Sequence, residues 1–305
     1  MAQAPSIPAA GDRAVVAPPN AGRAFFGAMR RFMRSSPLGM AAVVFLVMIV
    51  CIAIFARQVA PFDPLKADYL MTRKPPSAHH LLGTDNLGRD VLSRIIYGLR
   101  VSLVVSILSV ALGTSIGTAW GVTSGYIGGA YDIVSQRLIE VLSSFPTLIL
   151  ALLLSVSLGP GLRTVVIAIG ITQIPLGTRI TRSVVLATKE TAFVEAAQCI
   201  GASPARIMLR QVAPQTIAPM LVIASINLGG AIFTEAALSF LGVGVPPPTA
   251  SLGNMLGGVL AQSFKPPWWL VIFPGTAIAL TVLAANLFGD TLRDFLDPKL
   301  NKRLG

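Results

Sequence analysis

The chain is 305 residues long, 53% hydrophobic and only 12% charged, with a mean hydropathy of +0.72. A soluble domain carries about 25% charged residues, so a water-solvated globular surface is excluded and an all-α integral membrane protein is expected. The net charge of +11 does not point to nucleic acid, because the basic residues flank apolar runs and form no stripe interleaved with aromatics.

Residues 1–36 are rich in Ala, Pro and Gly and show no apolar periodicity before Phe25. They are predicted to form a cytoplasmic tail, disordered over its first part. Arg30, Arg31 and Arg34 abut the first apolar run, which places the N-terminus in the cytoplasm by the positive-inside rule. That run, Leu38 to Ala56, carries no charge and would span about 28 Å as a helix. It exceeds the 7–15 residues or so of a signal-peptide core and follows a long leader, so it is read as a retained anchor. An external loop completes a segment at 37–97. The loop is rich in Lys and Arg, which runs against the charge rule, but it also holds Asp63, Asp68, Asp85 and Asp90. Its end, "TDNLGRDVLSRIIYG", puts Val91, Leu92, Ile95 and Ile96 on one side, the pattern of an amphipathic helix lying flat on the bilayer. His79 and His80 in this loop invite a nickel site, but a solvated pair is expected.

Residues 98–290 hold five further predicted spans, at 99–120, 138–158, 162–178, 217–242 and 269–288. Each must be helical, because lipid offers backbone amides no partner. Pro146 and Pro175 should kink the third and fourth. Gly113, Gly117, Gly229 and Gly230 would let helices approach closely. Six spans return the tail 291–305 to the cytoplasm. Gln173, Asn227, Glu235 and Asn286 are polar within spans and are candidates to line a translocation path. Their alternative role is interhelical hydrogen bonding, worth about 0.6 kcal/mol each in lipid. Glu235 would lie about 30 Å along the fifth span, near the external mouth, where a carboxylate can hydrate.

The polar stretch 179–216 interrupts this pattern on the predicted cytoplasmic side. Phe193, Ala196, Ala197 and Ile200 recur as one apolar stripe of a short helix. Gly201 is a helix stop, and Ser203-Pro204 reads as an N-cap with proline at the first helical position. A second short helix follows, with Arg206 and Arg210 one turn apart, and Pro214 ends it. Helices this short are marginal alone and need a surface to dock on. From the residues alone, a loop on the protein's own face and a docking element for another protein are equally open. Cys51 and Cys199 suggest no disulfide and no metal site. The phosphate cradle GxxxxGK[ST], the dinucleotide fingerprint and nucleophile–base signatures are absent from the sequence, so no catalytic residue, metal or bound cofactor is assigned to this chain.

"EAA" at Glu195, Ala196 and Ala197, Gly201 after it and Pro214 further on resemble the EAA loop of ATP-binding-cassette (ABC) importer permeases. The segments "HLLGTDNLGRDVLSRIIYGLRVSL", "LSFLGVGVPPP", "GNML" and "NLFGDTLRDFLDPKL" are similar to the second permease subunit of dipeptide, oligopeptide and nickel importers. The resemblance covers residues 25 to 303. It implies a type I transmembrane domain with six helices and a cytoplasmic coupling helix between the fourth and fifth. Glu195, Ala196, Ala197, Gly201, Ala202, Pro204 and Pro214 would then bind a separate ATPase subunit. The implied partners are a second permease in a heterodimer, one or two ATPase subunits that use ATP and Mg, and an extracytoplasmic solute-binding protein. The implied location is the bacterial inner membrane. Peptides are the expected cargo, with nickel, glutathione and opine-like solutes as alternatives. Two residues depart from the pattern: Ala213, where an aliphatic residue usually precedes the proline, and Leu252, where tryptophan is expected. An ATP-independent carrier would instead show in-span acidic residues or an inverted repeat.

Overall fold

The computed structural model describes residues 37–296; the expected tail 1–36 and residues 297–305 lie outside the described residues. The order of helices is α1 (Pro37–Ile54), α2 (Ala56–Val59), α3 (Val91–Ile127), α4 (Gly129–Ser143), α5 (Thr147–Leu158), α6 (Leu162–Lys189), α7 (Ala192–Cys199), α8 (Pro204–Ile207), α9 (Ile217–Phe240), α10 (Leu252–Gln262) and α11 (Trp268–Leu296). The only β pairing among the described residues is an isolated antiparallel bridge, Thr84 to Asp90.

Four stretches are long and apolar enough to cross a bilayer: Val91–Ile127, Leu162–Lys189, Pro204–Phe240 and Trp268–Phe295. The pair α4 and α5, bent by 89°, makes a fifth if taken as one span. The apolar part of α1, Gly39–Ile54, is shorter, about 24 Å at the helical rise. The predicted six spans therefore appear as four rods, one broken rod and this short first helix. The two prolines behave differently. At Pro146, which lacks an N–H to continue the ladder, the chain breaks between α4 and α5. Through Pro175 α6 stays helical.

The surface helix predicted around Val91 is instead the first turns of α3. Asp90 caps it, accepting from the Ser93 amide at 2.8 Å. Val91 and Ile95 are buried beside Leu252 and Leu270. A 3.6-residue period looks the same on a surface helix and at the start of a span, and Gly98 does not break the helix because it fits against Leu252.

α3 and α6 approach along a row of glycines on α3. A Cβ on Gly117 would come within 2.8 Å of the Ile174 carbonyl oxygen, and one on Gly121 within 2.6 Å of that of Thr178. Gly113 lies against the Gly170 carbonyl and Gly125 against Val185. Lipid is as apolar as a leucine side chain, so such close backbone approach is what holds the pair. Of the glycines expected to serve this way, Gly229 faces the Asn286 side chain, whereas Gly230 faces open space. Large apolar side chains such as Val44, Ile107, Ile133, Leu221 and Leu283 point outward, a surface for lipid or a partner's helices.

The loop before α3 is held by side chains. Asp85 accepts from the Leu87 and Arg89 amides at 2.8 and 2.9 Å and pairs with the Arg89 guanidinium at 2.7 Å. The expected solvated histidine pair is divided. His79 is exposed, while His80 is buried with Nδ1 2.9 Å from Asp90 Oδ1.

Candidate functional site

The polar stretch folds as the predicted helix, elbow and helix. α7 ends in a reciprocal pair of bonds: the Gly201 amide donates to the Gln198 carbonyl at 2.9 Å, and the Ala202 amide to that of Ala197 at 3.1 Å. This is the Schellman closure, which requires a left-handed residue at its centre. Gly201 supplies it with φ +76°. Among the described residues, no atom beyond its chain neighbours lies within 4 Å of where its Cβ would be. Within this chain the backbone angle, not crowding, therefore demands glycine. Ser203 takes the extended N-cap conformation ahead of Pro204, but its hydroxyl makes no cap bond.

The apolar stripe is split between two faces. Ala197 points inward with Val194, packing with Val122, Val185, Ile207 and Val212 in a small core beneath the elbow. Phe193, Ala196 and Ile200 turn outward, with Phe193 47% and Ile200 84% exposed. Glu195, Gly201, Pro204 and Pro214 are exposed and Ala202 is half-buried. Arg206 and Arg210 are exposed on the second limb. The eight-residue helix thus seats one apolar face on its own protein and turns another outward. Val194 lies one position off the stripe read from sequence, which is why that stripe missed the inward face.

Pro214 does not end the second limb. α8 passes into wide π-type turns (Met208–Val212) and tight 3-10 turns (Ala213–Thr216), then directly into α9. The π and 3-10 turns shift the hydrogen-bond ladder away from the missing proline amide. Pro204–Phe240 is thus one continuous helical run of 37 residues. Ala213 is half-buried against the core under the elbow, and Leu252 is fully buried.

Two polar links tie the elbow's surroundings together. Arg182 on α6 grips Asp132 on α4 in bidentate fashion, at 2.7 and 2.6 Å. Lys189 at the end of α6 donates to the Tyr126 carbonyl on α3 at 2.9 Å. Neither pairing has a local sequence signature, since the partners lie 50 and 63 residues apart.

The four in-span polar candidates do not converge. Gln173 is half-buried, with its Cβ close to Gly113. Asn227 is half-buried with its amide nitrogen unpaired. Asn286 is exposed and lies over Gly229. Glu235, expected to hydrate at a mouth, is fully buried. It accepts from Ser102 at 2.5 Å and from Ser239 and Ser251 at 2.8 Å each. No sequence signal marked this cluster, because Ser102 and Ser251 come from distant parts of the chain.

The family described as binding-protein-dependent transport system inner membrane component matches residues 113–302. The N-terminal transmembrane domain of oligopeptide transport permease C matches residues 25–76. The glutathione transport system permease protein GsiD of Escherichia coli O1:K1 / APEC is 40% identical over 272 residues, covering 89% of both chains. The di/tripeptide transport system permease protein DppC of Pseudomonas aeruginosa (strain UCBPP-PA14) is 41% identical over 264 residues, covering 84% of this chain and 86% of that one. Among solved structures, the inward-facing MetNI methionine ABC transporter aligns with a TM-score of 0.52 at 19% identity, over 66% of this chain and 96% of that one. At that identity the likeness speaks for the fold, the type I importer transmembrane domain. With a family match across most of its length and relatives at 40% identity, the chain belongs to the inner membrane components of binding-protein-dependent transport systems, the permeases of ABC importers.

Proposed function

We propose that this chain forms one half of the translocation path of an ATP-driven importer, and that the elbow at Gly201 is the lever by which a separate ATPase moves it. The observation that carries this reading is the outward apolar face of α7, with Phe193 and Ile200 exposed beside Glu195. A loop lying only on its own protein would have turned that face inward. A second permease completes the path, ATP and Mg are used by one or two partner ATPase subunits, and an extracytoplasmic binding protein delivers the cargo. This chain itself hydrolyses nothing. The elbow and both termini lie in the cytoplasm, in keeping with the arginines ahead of α1 and those of the elbow.

The cargo is a short peptide. The relatives named above carry di/tripeptides and glutathione, and glutathione is itself a tripeptide joined through a side-chain carboxyl.

Gly201→Asp tests the lever. A Cβ at φ +76° is strained by about 1–2 kcal/mol, and the carboxylate would stand on the docking face. Membrane insertion should be intact and uptake abolished; normal uptake would refute the role of the elbow. The cargo is tested by purifying the partner binding protein and identifying its retained ligand by mass spectrometry. A short peptide or glutathione is expected, and a metal ion or an opine would contradict the assignment.

A further inference from the structure

Glu235 is fully buried and its carboxylate is held by three hydroxyls, from Ser102 on α3, Ser239 on α9 and Ser251 at the N-cap of α10. A carboxylate that only accepts fixes the direction of the three hydroxyl protons. The serine lone pairs are then free to hold backbone. Ser239 Oγ accepts from the Val245 amide at 3.2 Å, and Ser251 Oγ accepts from the amide of Asn254 in a capping box. Glu235 therefore orients the hydroxyls that secure the loop 241–251 at its middle, Val245, and at its end, Ser251. The same end of α9 is pressed against α10 without side chains between them. A Cβ on Gly253 or Gly257 would collide with the Ala236 or Phe240 carbonyl. The other end of this continuous run is the elbow, about 45 Å away at the helical rise.

We propose that Glu235 is a positioning residue for transport. It fastens the loop 241–251 and the start of α10 to the far end of the Pro204–Phe240 rod, so that a displacement of the elbow reaches the mouth opposite it. The inference rests on the reading that an ATPase moves the elbow. Glu235→Ala releases the loop: Ser239 is left free to turn its proton to a carbonyl of its own helix, and Ser251 loses its acceptor. Glu235→Gln keeps the shape and one acceptor oxygen, so it restores part of the function.

The test uses the complete importer in proteoliposomes, with glutathione and trialanine as probes. ATP hydrolysis and uptake are measured on the same vesicles. In the Glu235→Ala complex, hydrolysis should persist while solute taken up per ATP falls at least tenfold, with Glu235→Gln in between. A second readout needs no cargo. With Cys51 and Cys199, both free and exposed, replaced by serine, a spin label at the exposed Leu241 should shift on ATP binding in the otherwise wild-type complex. In the Glu235→Ala complex that shift should vanish while a label at the elbow still responds. An unchanged uptake-to-ATP ratio, or an unchanged Leu241 response, overturns the proposal. Should Glu235→Ala fail to assemble, Ser251→Ala is judged by the same ratio, a fall supporting the proposal and no change overturning it. Transport by the unaltered permeases without ATP would instead refute the underlying reading.

Discussion

At Gly201 two requirements meet that sequence alone cannot separate. Its position just past the last periodic residue announces a helix stop, and the left-handed φ of +76° bears that out. The space around it is open among the described residues, so there the backbone angle sets the demand for glycine. The neighbouring residues split the same way and give a paired prediction. Ile200→Ser removes an outward apolar contact and should leave permease stability unchanged while weakening co-purification of the ATPase subunit. Val194→Ser puts an unpartnered hydroxyl into the core under the elbow, at a cost of about 1–3 kcal/mol, and should lower the melting temperature in detergent. Equal loss of stability in both variants would show that α7 has no free face. Glu195→Ala should likewise reduce ATPase co-purification, and unchanged stoichiometry would remove Glu195 from the interface.

Elements were legible in the sequence where one physical signal dominated. Long uncharged runs gave the rods, and proline at 146 marked the break between α4 and α5. Boundaries are ambiguous where one signal serves two structures. The stripe at Val91 fits both a surface helix and a helix entering the bilayer. Pro214 fits both a helix stop and a seam between π and 3-10 turns. Pairings across the sequence, such as Asp132 with Arg182 and Glu235 with its three serines, were illegible because nothing local encodes them. The glycine row on α3 lies between these cases. Gly113 and Gly117 stand within the predicted span 99–120 as contact residues, while Gly121 falls one residue past its end. The row is testable as an element. Gly121→Val should force α3 from the Thr178 carbonyl and destabilise the permease by about 1–3 kcal/mol. Gly230→Ala, which meets open space, should be tolerated. Comparable melting temperatures for the two variants would argue against the close approach of α3 and α6.

On the scale of the whole molecule, the rods, the bent α4 and α5 pair and the outward apolar side chains present an exterior suited to lipid or to a partner's helices. The in-span polar candidates do not gather into one site among the described residues. Glu235, expected to hydrate near the mouth, is instead buried as a fastening at the end of the rod that begins at the elbow. The mechanical claim is that a partner's ATP cycle, acting on the outward face of α7, drives solute uphill through this chain. Vesicles holding the two permeases with the binding protein, with and without the ATPase subunits, test it most directly. Accumulation above the external concentration only when the ATPase and ATP are both present is the predicted result; uphill accumulation by the permeases alone would contradict it.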